Sequence, residues 1–416
     1  MNVKFITLGC KTNFYESQAM AELFRESGYD IAGEKDIADV YVINTCTVTG
    51  TGAQKSRQHI RHAKKENPNA VVAVTGCYSQ TEPDAVAEIP EVDVMVGTSG
   101  RARIVEFVEE ALRGKRIINR CDIMQQREFE ELCITPSQSR IRANVKIEDG
   151  CNNFCSYCII PYARGPVRSR RLENIVEEVR RLSENGFAEI VLTGIHIGSY
   201  GKDTGGIGLI DVIEAVCAVD GIKRVRLGSI EPVIITGDFT ERAARLEKLC
   251  PQFHLALQSG CNATLKRMKR RYTTEEFYNA VMRLRRSIKD VSVTTDLMVG
   301  FPGESDEEFE QSYNFCKKIG FMQMHVFKYS VRRGTAAEKM ENQVPEQVKD
   351  LRSEKMLALA KEMKKAFYDS YKGREAEVLV EQRMKNGKYH ATTANYMDVY
   401  IESDYDLRGK IVKTVL

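Results

Sequence analysis

Three cysteines within eight residues, CNNFCSYC (Cys151–Cys158), directly follow a strand-like segment and narrow the possible folds sharply. The spacing is Cys-x3-Cys-x2-Cys. One such loop can hold three irons of a cubane four-iron, four-sulfur cluster and leave the fourth iron without a protein ligand. That open iron can chelate the amino and carboxylate groups of S-adenosylmethionine (SAM) and deliver an electron to its sulfonium, yielding a 5′-deoxyadenosyl radical. A zinc knuckle is the alternative, but it pairs two Cys-x2-Cys units or adds histidine, and the sequence has neither nearby. Phe154 and Tyr157 inside the loop would shield the cluster and pack near adenine.

The 416 residues include twelve cysteines and no tryptophan. The apolar run Met1 to Cys10 is too short for a secretory signal, and no stretch approaches the roughly 18 uncharged apolar residues of a membrane helix. The expectation is a cytoplasmic protein whose cysteines serve metal or redox chemistry rather than disulfides. Cys10, Cys46 and Cys77 close the segments ITLGC, VINTC and AVTGC, each just past a strand-like run. In a parallel sheet those strand ends share one edge, so the three can converge, with Gly9 and Gly76 letting the backbone approach a second cluster. Three unrelated buried thiols are the alternative. Cys121, Cys133, Cys217, Cys250, Cys261 and Cys316 fit no ligand spacing and are expected to be buried, Cys261 being notable because it follows a barrel strand end.

Apolar periodicity gives the organisation. Val3–Gly9, Val40–Asn44, Ala70–Thr75 and Val92–Val96 read as strands, and Phe14–Ser27, Ala53–Lys65, Glu82–Glu88 and Ile104–Leu112 as helices. This alternation implies an N-terminal doubly wound parallel sheet. Residues 117–141 lose the pattern and read as a linker with room for a hairpin. Six further strands are expected at Ala143–Ile147, Glu189–Thr193, Arg224–Leu227, Phe253–Gln258, Val291–Val299 and Met322–Phe327. With helices such as Leu172–Asn185 and Thr274–Ser287 between them, they fit an incomplete (β/α)6 barrel whose strand C-terminal ends build the site. Glu346–Tyr371 reads as a long charged helix, and Glu375–Gln382 and Met397–Glu402 alternate at period two, as a small C-terminal antiparallel β domain requires. The expected divisions are 1–118, a linker over 119–141, the barrel over 142–345, a connecting helix over 346–371, and the β domain over 372–416.

With 43% apolar and 29% charged residues, a disordered chain is excluded. Sixty-one basic residues face 58 acidic ones, so any polyanion contact must be local. Lys55, Arg57, Arg61, Lys64 and Lys65 form one basic run, and Lys266, Arg267, Lys269, Arg270 and Arg271 another beside Tyr272. Two runs and a β module point toward RNA phosphates; solvated helix faces are the alternative. Arg164, Arg168 and Arg170 follow the cysteine loop and could grip carboxylate or phosphate. His196, His254 and His325 are expected as hydrogen-bonded core or rim groups, since radical chemistry needs no general base.

CNNFCSYCIIPYARGPVRSR, with LGCKTN, NTCTVT and TGCYSQ, resembles the radical-SAM methylthiotransferases over essentially the whole chain, and among them most the tRNA threonylcarbamoyladenosine methylthiotransferases. The resemblance implies that Cys151, Cys155 and Cys158 hold the SAM-binding cluster and Cys10, Cys46 and Cys77 an auxiliary one. It implies two SAM molecules, one methylating a sulfide at the auxiliary cluster and one supplying the radical that takes hydrogen from adenine C2 beside the anticodon. Strand-end residues then become candidate SAM contacts: Thr193, Gly194, Ser229, Glu231, Gln258, Ser259, Asp296 and Gly300. Further implications are a TRAM-like RNA-binding tail, a tRNA partner, an electron donor such as flavodoxin or ferredoxin, and a monomer. Sibling activities on isopentenyladenosine or a ribosomal-protein aspartate, and a non-enzymatic iron–sulfur RNA-binding regulator, are the competing readings.

Overall fold

The structure, a computed structural model, describes residues 1–47, 50–134 and 141–416. Its first unit is a six-stranded sheet of β1 (Asn2–Thr7), β2 (Asp30–Ile31), β3 (Val40–Thr45), β4 (Val71–Gly76), β5 (Val94–Val96) and β6 (Ile117–Asn119). The spatial order is β2-β1-β3-β4-β5-β6 and every pairing is parallel. Strands β3 and β4 are buried throughout, which explains their unbroken apolar sequences. Ala53, Ile60 and Ala63 of the helix Gly50–Glu66 pack on one face of the sheet, and Met20, Phe24, Ile104 and Phe107 on the other. The fold is therefore doubly wound, as expected. Strand order reverses between β1 and β3, and the crevice outside the strand ends at such a point is where these sheets bind ligands.

The expected linker differs in two respects. Residues 117–119 belong to the sheet as β6, and no hairpin forms among the described residues beyond it. Residues 135–140 of that expected linker lie outside the described residues. Leu132 and Ile134 are buried in the main core, where Tyr15 Oη donates to Leu132 O at 2.5 Å. Ile123, Leu132 and Ile134 thus anchor the described part of the segment by apolar burial that its polar composition concealed.

The barrel strands are β7 (Arg142–Lys146), β8 (Glu189–Thr193), β9 (Arg224–Leu227), β10 (Gln252–Leu255), β11 (Ser292–Val299) and β12 (Gln323–Lys328). They are all parallel; β9 continues through Gly228 into Ser229–Ile230, which pairs with β10 and so joins the two halves. Among the described residues β7 and β12 do not pair, leaving the barrel open on one side. Helix α1 (Lys11–Glu26) of the first unit packs against β7.

The last unit is a four-stranded antiparallel sheet, β13 (Glu375–Arg383), β14 (Tyr389–Thr393), β15 (Asp398–Ile401) and β16 (Ile411–Val415), reached through the helix Glu346–Asp369. It caps the barrel at the end opposite the cysteine loop. Arg224 donates to Thr392 O (3.0 Å) and Glu377 O (2.9 Å), Arg226 to Ala394 O (3.1 Å), and Ser292 Oγ to Asn395 O (2.6 Å). Tyr396, in the turn between β14 and β15, lies under the Arg226 guanidinium at 4.8 Å and forms part of the floor of the barrel cavity. Among the described residues no helix is long and apolar enough to cross a membrane.

Candidate functional site

The site is a cavity of about 600 Å³ inside the barrel mouth. Cys151, Cys155 and Cys158 line it from one side and Cys10 from another. The loop leaves the strand Glu148–Asp149 through Gly150, whose φ of +89° and closeness to Pro166 demand glycine: a Cβ there would lie 1.9 Å from Pro166 O. Burial pushes the Cys151 thiol up to about 12 and Cys158 to about 11. Iron binding must therefore displace their protons. Arg270 donates to Cys155 Sγ at 3.3 Å.

Cys10, Cys46 and Cys77 follow β1, β3 and β4, whose register aligns Thr7 with Asn44 and Thr45 with Gly76. The approach of two of them is visible at Gly9, next to Cys10, where an added Cβ would lie 3.1 Å from Cys46 Sγ. A Cβ at Gly76 would lie 2.5 Å from Thr45 O, so these glycines let strand ends and Cys46 pack against one another. Burial raises the Cys77 thiol to about 11 against the opposing charge of Arg164, whose Nε donates to Cys77 Sγ at 3.3 Å.

A buried ionic network joins the two cysteine sets. Glu16 of α1 is fully buried between Arg101 (2.5 Å), Lys146 (2.8 Å) and Arg164 (3.1 Å), and Lys146 also meets Asp149 at 2.6 Å. Arg168 is held at 3.5 Å from Asp149, and Glu130 pairs with Arg101 at 2.9 Å. Four cations face three carboxylates here, and one of the cations, Arg164, lies beside Cys77, which suits an anionic thiolate-ligated centre.

Of the candidate SAM contacts, Tyr157, Thr193, Gly194, Ser229, Glu231 and Asp296 line the cavity. Glu231 is buried, which would raise its carboxyl, but hydrogen bonding from His196 and the charge of Arg270 hold it down at about 2. His196 Nε2 lies 3.2 Å from it, Arg270 2.7 Å, and Asn153 donates at 3.1 Å. His254 bridges Asp296 (3.3 Å) and Thr294 Oγ1 (3.0 Å), a hydrogen-bonded rim group as expected, whereas His325 is exposed at the cavity. Four candidates are not among the lining residues. Phe154 turns outward onto Tyr162. Gln258 bonds through its backbone to Asp296 and Met298, Ser259 Oγ accepts the Cys261 N–H, and Gly300 lies beneath Lys349 of the connecting helix.

The basic residues divide sharply. Lys55, Arg61, Lys266, Lys269 and Arg271 are exposed. Arg164, Arg168 and Arg170 are buried, Arg170 against Glu178 and Glu131, and cannot form a surface for RNA. Arg270 is engaged inside, Arg267 pairs with Glu308, and Arg57 donates to Tyr78 Oη at 2.9 Å. Their partners lie far off in sequence, so charge alone could not reveal them. Cys217, Cys250, Cys261 and Cys316 are buried, whereas Cys133 is exposed and Cys121 half-buried because both sit in the segment after β6. Sequence reasoning missed Lys11, Thr12, Arg226 and Tyr396 as lining residues; only the position of Lys11 and Thr12 next to Cys10 hinted at them.

Residues 2–97 match the model of Uncharacterized protein family UPF0004, and residues 145–316 that of the Radical SAM superfamily. The latter implies SAM and a four-iron, four-sulfur cluster. Threonylcarbamoyladenosine tRNA methylthiotransferase MtaB of Bacillus subtilis (strain 168) is 43% identical over 99% of this chain and 92% of its own length. Its namesake in Aquifex aeolicus (strain VF5) is 38% identical over 100% of both chains. Among solved structures, the radical S-adenosylmethionine methyltransferase TsrM from Kitasatospora setae, with cobalamin and a 4Fe-4S cluster bound, covers 79% of this chain and 72% of its own at a TM-score of 0.58 and 13% identity, a likeness of fold. Because the full-length relatives span both units whose strand ends carry the cysteines, the chain belongs to the radical-SAM methylthiotransferase family.

Proposed function

We propose that this protein transfers a methylthio group to C2 of N6-threonylcarbamoyladenosine in tRNA, beside the anticodon. The observation that carries the reading is the shared cavity: Cys10 and the Cys151–Cys158 loop line one cavity, so a base inside it would meet both centres. Cys151, Cys155 and Cys158 hold the SAM-binding cluster, and Cys10, Cys46 and Cys77 a second, auxiliary cluster. When bound, the first cluster supplies the electron that cleaves SAM and the second supplies the place where sulfur is held.

The remaining work falls to the protein. Glu231, kept ionised by His196 and Arg270, accepts hydrogen bonds from ribose hydroxyls, and Thr193 and Asp296 fix the polar ends of SAM. Arg226 and Tyr396 seal the floor against water. The exposed cations Lys55, Arg61, Lys266, Lys269 and Arg271 hold phosphates while the adenine unstacks from the loop. Tyr400 of β15 and Tyr405 of the connection that follows it, both exposed, offer stacking surfaces in keeping with an RNA-binding module.

Nucleoside mass spectrometry of tRNA from a deletion strain tests this. Loss of the methylthio derivative with accumulation of threonylcarbamoyladenosine is expected. Loss of methylthio-isopentenyladenosine instead, or no release of 5′-deoxyadenosine by the reconstituted protein, would contradict it.

A further inference from the structure

Beside Cys10 the cavity carries two groups that neither cysteine set employs. Lys11 and Thr12 begin α1 and both line the cavity. The Lys11 side chain is exposed at the cavity, and among the described residues it makes no hydrogen bond or ion pair. The charges around it are mostly of its own sign. Arg142 and Arg226 repel it more than Glu189 attracts it, and Glu189 is already taken by Arg142 (2.8 Å) and Arg226 (3.1 Å).

Thr12 is 1% exposed, and its Oγ1 has no hydrogen-bond partner among the described residues. Both residues sit at the N-terminus of a 16-residue helix with no acidic residue in its first turn. Its free N–H groups add to the positive potential there. A cation without a counter-ion and a hydroxyl without a partner thus adjoin the cysteine that opens onto the cavity. Such a pair suits a ligand bearing a carboxylate and a second polar group.

The geometry points to Lys11 and Thr12 as specificity-determining residues that bind the N6 substituent of the target adenosine, Lys11 taking its carboxylate and Thr12 a neighbouring polar group. The inference rests on the proposed substrate. In adenine, N1 is bonded to both C2 and C6, the carbon that carries N6, so a substituent on N6 that turns toward N1 extends along the edge that presents C2. When C2 faces the sulfur held near Cys10, that substituent arrives at the residues next to Cys10. A threonylcarbamoyl group brings a carboxylate and a hydroxyl. An isopentenyl group brings neither and would leave the buried Thr12 hydroxyl unpaired, which is how a polar site rejects an apolar analogue.

The test uses the full-length protein with its clusters reconstituted anaerobically, and two anticodon stem-loops that differ only in whether the threonyl carboxylate is free or converted to its carboxamide. Binding is read by fluorescence anisotropy, and iron is counted in every variant. The wild type is expected to bind the carboxylate form at least about tenfold more tightly than the carboxamide. Lys11→Gln removes that difference, Lys11→Arg retains much of it, and Thr12→Val weakens both forms, all with wild-type iron content. Discrimination that persists in Lys11→Gln, or that is absent from the wild type, overturns the inference. So does loss of about half the iron in Lys11→Gln and Thr12→Val, since the pair would then serve the auxiliary centre. Nucleoside analysis of wild-type product judges the substrate itself separately: methylthiolation of a different nucleoside sinks the functional reading without reference to any variant.

Discussion

Replacing Arg164 by Met probes the junction between the two larger units. Arg164 is fully buried; it donates to Asn13 Oδ1 at 2.6 Å, to Glu16 at 3.1 Å and to Cys77 Sγ at 3.3 Å, and lies 3.4 Å from Asp149. Methionine fills similar space but removes the charge and every donor. Breaking a buried charged network by deleting one member costs about 3–5 kcal/mol. Glu16 would still be held by Arg101 and Lys146, which places this loss at the lower end, about 3 kcal/mol. At about 2–4 °C per kcal/mol for a domain of this size, the apo protein should melt roughly 6–12 °C lower in calorimetry. With the clusters in place, loss of a positive charge beside Cys77 should make the auxiliary centre harder to reduce, shifting its potential negative in an EPR-monitored titration. A melting point within about 1 °C of wild type, with an unchanged potential, would refute the idea that Arg164 ties the barrel to the auxiliary site.

Two further outcomes follow from the site. Replacing Cys10, Cys46 and Cys77 together by Ala should lower the iron count from about eight to about four per chain while SAM-derived 5′-deoxyadenosine is still released; an unchanged count removes the auxiliary cluster. Burial lifts the Glu148 carboxyl to about 8 from an ordinary value of 4.5, against the opposing hydrogen bond from the His196 N–H. Being protonated when folded and ionised when unfolded between those limits, it lowers stability as pH rises from about 4.5 to about 8 and adds no slope beyond. Glu148→Gln should remove that slope, so urea midpoints compared at the two ends of the window should fall less in the variant; an equal fall in both contradicts the assignment.

The strands that carry the cysteines were legible because parallel strands buried on both faces leave unbroken apolar runs, as VYVINT and VVAVTG do. The Cys-x3-Cys-x2-Cys loop was legible because its residues are local. What escaped was set by distant partners. Arg164 reads as a surface cation, yet Glu16, 148 positions away, holds it inside. Gln258, Ser259 and Gly300 do follow strands, but the turns after β10 and β11 carry them under neighbouring helices and backbone instead of into the cavity. Strand β6 has only three residues, too few for a period to show. Tyr396 belongs to a different unit from the barrel it helps floor, and no local pattern announces such a contact.

The most direct test of the two-centre account is an anaerobic single turnover on an anticodon stem-loop whose threonylcarbamoyladenosine carries deuterium at C2. The account predicts deuterium in the released 5′-deoxyadenosine and a methylthio group on the same base. Unlabelled 5′-deoxyadenosine, with the deuterium retained in the RNA, would contradict it.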